Sequence, residues 1–484
     1  MVLLPFENEI RIAGLVILGL STVWLLRYKP RYAAGVIMGF GWYDYFTTNL
    51  GFVLDAGKLL GIICACYIVL NPQILNNPSV RFLRRTWLPY WIYCIGITVV
   101  MVPFWPEVHG GASGVLYTTL RWFVQLVTMG LGFCVAIVIA GIITSTTRIH
   151  ESTRIVILSA VILVVIGLYQ FVAFPRGLPI NTIARQGGLE NTIAASLIDG
   201  ESAFRPYSLA GEPKGFATSM CLPLILLSLF GNRSEVMPFK KWLRIPLLGV
   251  FALAMFLTLS TAGFLIITLV VIAAMIAMAH IRVGLGKAIR NTLSVAFVAG
   301  VVVLVVNADA VFHRVEMVYQ SRVEQRVEGE FFTYGELGVF AFWQDSPAHI
   351  VTGVGRGGSS FYIRQYRDEY EGYTAAARGI VGEMADIGLI GVLLFYVPLI
   401  FMLYQLGIHI RNTPNSQHFV VAYLYCCCGV PMMLTKAAWI FPFTVMGMSV
   451  CLYSLVLAHS KVHRPALRTA DAQPSLRRLA LNQR

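Results

Sequence analysis

The run Arg154-Ile-Val-Ile-Leu-Ser-Ala-Val-Ile-Leu-Val-Val-Ile-Gly-Leu-Tyr-Gln-Phe-Val-Ala-Phe174 decides the kind of fold this chain adopts. Its only charged residue is the first. A helix rises about 1.5 Å per residue, so a run of this length crosses a hydrocarbon layer about 30 Å thick. Arg148 and Arg154 stand at its start, and after Phe174 the sequence turns to Pro175 and a long polar stretch.

Working outward, similar runs recur near residues 12–26, 33–53, 56–70, 87–105 and 116–144 before it. After it they recur near 216–231, 242–259, 262–281, 291–307, 381–404, 419–436 and 440–459. The pattern predicts an all-α polytopic membrane protein of about 12–13 transmembrane helices. Hydrophobic residues make up 57% of the 484 positions and charged residues only 13%. An ordinary soluble chain is roughly 25% charged, so lipid must be the solvent for most of this one.

The formal net charge of +13 does not point to nucleic acid, because the basic residues sit mainly in short links between apolar runs and in the tail. Arg27/Lys29/Arg31, Arg81/Arg84/Arg85, Arg148/Arg154, Lys240/Lys241/Arg244, Arg282/Lys287/Arg290 and Arg477/Arg478/Arg484 alternate correctly if all face the cytoplasm. The polar segments 175–215 and 308–380 then both fall on the opposite, periplasmic side. Between 33 and 70, Asp44, Asp55 and Lys58 interrupt short runs, so the helix count stays open there. Thirteen spans put the N-terminus outside, and twelve would merge two early runs. The first eleven residues carry Glu7 and Glu9 with a single Arg11, unlike a cleavable signal peptide, so the first span is expected to stay in the membrane.

This reading divides the chain into N-terminal transmembrane helices (1–174), a first large periplasmic loop (175–215) and central helices (216–307). A second large loop (308–380), C-terminal helices (381–459) and a basic cytoplasmic tail (460–484) follow. The second loop is rich in aromatics, among them Phe312, Trp343, Tyr362 and Tyr366, which disordered segments lack, so it is expected to pack as a subdomain with short helices. All nine cysteines lie in apolar runs, which implies no disulfide framework or zinc site. No internal repeat is apparent, which argues against a repeat-built transporter.

The first loop ends in Arg205-Pro-Tyr-Ser-Leu-Ala-Gly-Glu212-Pro-Lys214-Gly-Phe-Ala217 directly before an apolar run, which puts Arg205, Glu212 and Lys214 at the membrane surface. An arginine fork holds a phosphate bidentately, a lysine adds a point charge, and a carboxylate orients either or takes a proton. Arg185 lies earlier in the same loop. Leu257-Thr-Leu-Ser260-Thr-Ala-Gly-Phe264 is an uncharged polar break between two runs, whose hydroxyls could serve a phosphate or merely end a helix.

In the second loop, Gly353-Val-Gly355-Arg356-Gly-Gly-Ser359 offers backbone able to approach an anion, at a spacing that is neither a dinucleotide fingerprint nor a Walker loop. Arg364, Arg367 and Arg378 follow, and Glu383 and Asp386 open the next run. Ionisable residues at a membrane edge are functional suspects. His349 and His313 are candidate bases, and Arg121 and Lys436 are charges within apolar runs.

Taken in order, these features resemble the O-antigen polymerase and O-antigen ligase superfamily of bacterial inner-membrane proteins. The resemblance spans roughly residues 200–400. It rests on Arg205 to Ala217, Leu257 to Phe264, Ser321-Arg-Val-Glu-Gln-Arg326 leading through Trp343 and Pro347 to Gly355, and Glu383 to Leu394. It implies a metal-independent, GT-C-like glycosyltransferase with no cofactor. The implied donor is a polyprenyl-diphosphate-linked oligosaccharide, the setting is the membrane lipid itself, and a chain-length regulator is a possible partner. Ligase-like members carry a His-Asn pair about where Ala377-Arg378 stands and Ser-Arg-Gly where Thr261-Ala262-Gly263 stands. The segment with Glu212-Pro213 is closer to polymerase-like members.

The expectation is therefore a polymerase of lipid-linked repeat units, for O-antigen, capsule or exopolysaccharide. Arg205, Arg378, Glu212 and Glu383 are its candidate catalytic groups, and Lys214, Arg356, Arg364, Arg367, Ser260 and Arg185 are candidates to bind substrate. A ligase transferring glycan to lipid A core, a lipid-linked glycan flippase or transporter, and a non-catalytic scaffold are the competing expectations.

Overall fold

A computed structural model describes residues 6–49, 53–105, 112–181, 195–198, 201–230, 238–258, 334–365, 379–412 and 443–455. The expected spans 262–281, 291–307 and 419–436 lie outside these.

The described chain is predominantly helical. Its elements are α1 (Glu7–Tyr28), α2 (Pro30–Phe40), β1 (Thr47–Asn49), β2 (Val53–Asp55), α3 (Ala56–Leu70), α4 (Pro78–Met101), α5 (Ala112–Ile142) and α6 (Thr146–Ala173). After them come β3 (Ala195–Ile198), β4 (Glu201–Phe204), α7 (Pro213–Phe230), α8 (Arg244–Leu257), the short α9 (Tyr334–Asp345), α10 (Ala348–Thr352) and α11 (Ser359–Gln365), and the long α12 (Gly379–Asn412). The last is α13 (Phe443–Leu455).

Among the described residues, five helices are long and apolar enough to cross a membrane: α1, α4, α5, α6 and α12. α1 and α12 contain the expected runs 12–26 and 381–404 and extend beyond them at both ends, while α4 and α6 start before 87–105 and 154–174 and end at Met101 and Ala173, and α5 runs from Ala112 to Ile142 against an expected 116–144. The helix α3 matches 56–70. Large apolar side chains stay exposed along single faces: Val16, Ile17, Leu20 and Val23 on α1, Leu88, Ile92, Ile95 and Val99 on α4, and Leu393, Val397, Ile400 and Tyr404 on α12. Stripes of this kind are uncommon on soluble monomers and fit a surface solvated by lipid.

The run 33–53 is not one helix. The helix α2 stops at Phe40, residues 41–46 turn, and β1 pairs antiparallel with β2 from Thr47↔Asp55 to Asn49↔Val53. The physical reason lies in Gly39-Phe-Gly41 followed by Asp44: glycines favour helix exit, and a carboxylate in the run is costly to hold in lipid. Asp55 then caps α3, accepting a hydrogen bond from the Lys58 N–H at 2.8 Å while its carboxylate pairs with the Lys58 ammonium at 3.0 Å. A second small hairpin joins β3 and β4 in the first large loop. Neither hairpin was expected of an all-α chain.

Packing depends on close backbone approach. The α2 helix lies along α6, where a Cβ on Gly35 would stand 2.8 Å from the Ser152 carbonyl oxygen, and α13 lies on α5, where one on Gly447 would stand 2.8 Å from the Ala136 carbonyl oxygen. Small residues at such contacts are what lets helices associate without a hydrophobic driving force between them.

The helix α6 begins where the Ser145 hydroxyl accepts from the Arg148 N–H, and it ends at Phe174-Pro175 before Gly177 in the left-handed region. By contrast, α12 is broken internally, since Gly388 sits at φ 65°, ψ 178°. The chain from Thr352 to Gly353 packs into that break, and a side chain at Gly388 would collide with the Val351 carbonyl oxygen. Gly388→Ala is therefore expected to destabilise the protein by more than about 2 kcal/mol. Gly96→Ala on α4, where nothing lies within 4 Å, is expected to gain about 0.5–1 kcal/mol. Thermal unfolding in detergent measures both.

Candidate functional site

The α4 and α6 helices carry basic clusters at their starts, Arg81/Arg84/Arg85 and Arg148/Arg154. Both polar clusters described below lie toward their far ends.

The first cluster is built on α6. Gln170, fully buried, accepts from the Tyr207 and Ser208 N–H groups at 3.1 and 2.7 Å and donates to the Asn181 side-chain oxygen at 2.6 Å. Asn181 donates to the Ser208 carbonyl at 3.1 Å, and its own carbonyl accepts from the Tyr207 hydroxyl. The Ser208 hydroxyl donates to the Leu163 carbonyl of α6 at 2.6 Å. These bonds meet the backbone of Tyr207 and Ser208 and hold that segment against α6. The Tyr45 N–H donates to the Leu209 carbonyl at 3.0 Å, so the turn after α2 meets the same segment.

Arg205 and Glu212 flank this pinned stretch. Arg205 Nε donates to the Thr258 carbonyl at 2.9 Å, a cation at the carbonyl end of α8, where the helix dipole favours it. Thr258 belongs to the polar break 257–264, so Arg205 is held at the start of that break. The Glu212 carbonyl accepts from the Phe216 N–H as α7 begins. Asp44 in the turn after α2, outside any spanning helix, belongs to the same neighbourhood. Burial, then Asp55 and Glu212, hold its carboxyl well above the usual carboxylate range, with Lys58 acting in the opposite direction.

The second cluster is built on α4, the glycine-rich turn and the start of α12. Gly353, Gly355 and Gly357 all have positive φ, at 72°, 88° and 80°. This winds the backbone so that the Gly357 and Ser359 N–H groups point at the Asp386 carboxylate, at 3.1 and 3.2 Å, and the Gly355 N–H at the Asp386 carbonyl, at 2.7 Å. The turn is clamped to α4 and its C-terminal end: Tyr93 donates to the Thr352 carbonyl, Trp105 to the Val354 carbonyl, and the Arg356 N–H to the Thr98 hydroxyl, at 2.7, 2.7 and 2.9 Å.

From that turn the Arg356 side chain descends along α4. Its Nη1 pairs with Glu383 at 2.7 Å, its Nη2 donates to the Tyr90 hydroxyl at 2.7 Å, and its Nε is buried without a partner. Thr98 and Tyr90 lie about 12 Å apart along the helix, which measures the descent. Burial disfavours the charged guanidinium, yet Glu383, with Tyr90, Cys94 and Asp386, outweighs it and raises the Arg356 pKa above its ordinary value. The unpaired Nε costs about 1–3 kcal/mol by the usual penalty for a buried, unsatisfied donor.

Of the other candidates, Lys214 stands on α7 and Arg364 on α11, with side chains outside the described residues, as is that of Arg121 on α5. Arg185, Ser260, Arg367 and Arg378, with His313 and Lys436, also lie outside them. His349 has a structural place: its Nδ1 lies 3.1 Å from the Gly353 carbonyl and its ring stacks on Phe342. Among the described residues no three His, Cys, Asp or Glu side chains gather as metal ligands.

Sequence reasoning did not single out Gln170, Asn181, Tyr90 or Thr98. Gln170 carried a legible signal, as the one amide in an otherwise apolar run, whereas Tyr90 and Thr98 look like ordinary membrane-helix residues. No family model matches this sequence, and no curated protein is detectably similar to it.

A carboxyl with a raised pKa stabilises the fold while it stays protonated, and that contribution fades as pH rises from the unfolded value near 4 through the native one. Asp44→Asn is therefore expected to melt at a higher temperature than the parent at pH 7 to 8, with the gap closing toward pH 4. Thermal unfolding across that range checks the sign.

Proposed function

We propose that this protein is a glycosyltransferase of the bacterial inner membrane that joins polyprenyl-diphosphate-linked oligosaccharide repeat units into a polysaccharide on the periplasmic side. The observation that carries this reading is that each large loop contributes a polar cluster held at the C-terminal end of a long apolar helix, Gln170 on α6 for the first and Thr98 on α4 for the second, away from the basic residues at the starts of those helices. A diphosphate at the lipid surface offers its charge at that level.

Chain transfer needs two things from the protein. As the anomeric carbon–phosphate oxygen bond breaks, its electron pair leaves with the polyprenyl diphosphate, and cationic donors stabilise that charge. As the acceptor hydroxyl oxygen forms the new glycosidic bond, its proton passes to a base. Arg205 and Arg378 are assigned to the diphosphate with Arg356 assisting, and Glu212 or Glu383 to the acceptor hydroxyl. The chemistry is metal-independent in this proposal, with arginines meeting the phosphate charge, and the class proposed is a GT-C-like enzyme.

A polymerase is favoured over a ligase by the Glu212-Pro213 segment and by Ala377-Arg378 in place of His-Asn. In addition, the described His349 is engaged with the Gly353 carbonyl. A flippase would place charge along a path through the membrane, whereas here the candidate charges gather in the loops and at helix starts.

Purified protein given lipid-linked repeat units is expected to yield a ladder of products. Arg205→Ala and Arg378→Ala should each slow it by about 100-fold or more, the usual cost of one charge-stabilising donor. Single transfers to lipid A core would instead identify a ligase. Unchanged chain length in both variants would point to a scaffold. A second measurement adds EDTA, which is expected to leave the rate unaltered.

A further inference from the structure

A row of backbone N–H groups in alternating conformation is an anion-binding nest, and the glycine-rich turn is one. Its anion is already in place, because Asp386 fills it through Gly357 and Ser359. What the turn leaves for an anion from outside is the Arg356 guanidinium, and there the three kinds of nitrogen are treated differently. Nη2 rests on Tyr90, which is 2% exposed and belongs to the α4 core. Nη1 rests on Glu383, whose side chain is 34% exposed against 14% for Arg356. Nε has no partner. The guanidinium thus has a fixed partner beneath it, a solvent-reaching carboxylate beside it and one donor unused.

A carboxylate and a phosphate oxygen compete for the same arginine donors, and a phosphate can span two of them at once. Resting on the transferase reading above, we propose that Glu383 is a place-holder on Arg356 for the phosphate of the lipid-linked donor. The incoming diphosphate displaces Glu383 and takes up Nη1, while Tyr90 keeps the guanidinium aimed through Nη2. Displacement leaves the Glu383 carboxylate without its cation, beside the bound donor, where it is free to take the proton of the acceptor hydroxyl. The base is thereby released only when a donor is in place. Tyr90 acts through Arg356 and is a positioning residue.

The sign of one binding measurement separates this role from a structural one. If Glu383 only holds Arg356 in place, removing its charge loosens the guanidinium and weakens anion binding. If Glu383 competes, removing its charge strengthens binding. The protein is reconstituted in nanodiscs, and the affinity for farnesyl diphosphate is measured for the parent, Glu383→Gln and Glu383→Asp, with farnesol and inorganic pyrophosphate as further probes.

Glu383→Gln is expected to bind farnesyl diphosphate about tenfold more tightly while product-ladder formation falls by about 100-fold. Glu383→Asp, with its shorter reach, should bind at an intermediate affinity and retain more turnover. The gain should be absent with farnesol. Its presence with inorganic pyrophosphate as well assigns the recognition to the headgroup, and its restriction to the lipid form assigns it to a headgroup held at the membrane surface. Either result upholds the exchange. Equal or weaker binding by Glu383→Gln, in the presence of measurable binding by the parent, overturns the exchange and leaves the transferase reading standing. No binding of farnesyl diphosphate by the parent overturns both.

Discussion

Backbone amides and carbonyls that leave a helix within a bilayer have no water to turn to and must be met by other groups of the protein. The irregular segments beside the long apolar helices show how such groups are met. The segment at Tyr207 and Ser208 is met by Gln170, Asn181 and the Leu163 carbonyl. The turn at 353–359 is met by Asp386 and by hydroxyl, indole and phenol groups of α4 and the residues just after it. The break in α12 at Gly388 is filled by the chain at Thr352 and Gly353. Without these partners the two loops would be confined to the surface, and their charged residues would stay with them.

The same constraint sorts the charges. Asp386 is committed to backbone donors and behaves as part of the scaffold, although it lies only one helical turn from Glu383. Glu383 is paired with a side chain, and a side-chain ion pair that reaches solvent can exchange partners in a way that a capped carboxylate cannot. Arg205 sits at a helix end with favourable dipole, and Asp44 sits among carboxylates that favour its protonated form. Four ionisable groups therefore have four different environments, and their charge and sequence position alone would not have separated them.

Much of the architecture was legible beforehand because lipid imposes a length and a composition on each span. Runs such as 56–70 and 154–174 needed only counting, and the basic links gave a consistent alternation. The stretch 33–53 misled because a short helix and a hairpin also make an apolar run. What distinguishes them is Gly41 and Asp44, which end the helix for reasons of backbone freedom and charge burial that hydropathy averages away. The glycine-rich turn was read as an anion site, and the chemistry was sound, but the anion came from thirty residues further along the chain.

The amino-acid sequence by itself determined that this is a many-helix membrane protein, where its polar segments fall, and which residues in them are candidates to carry chemistry. Those properties are local, set by the length of an apolar run and the charge of a link. Only the tertiary structure decided which charges are already spoken for. It paired Arg356 with Glu383 and Tyr90, gave the glycine turn to Asp386, and brought Asp44 beside Glu212. Partner choice depends on which helices pack together and how deeply a loop descends between them, and no spacing along the chain encodes that.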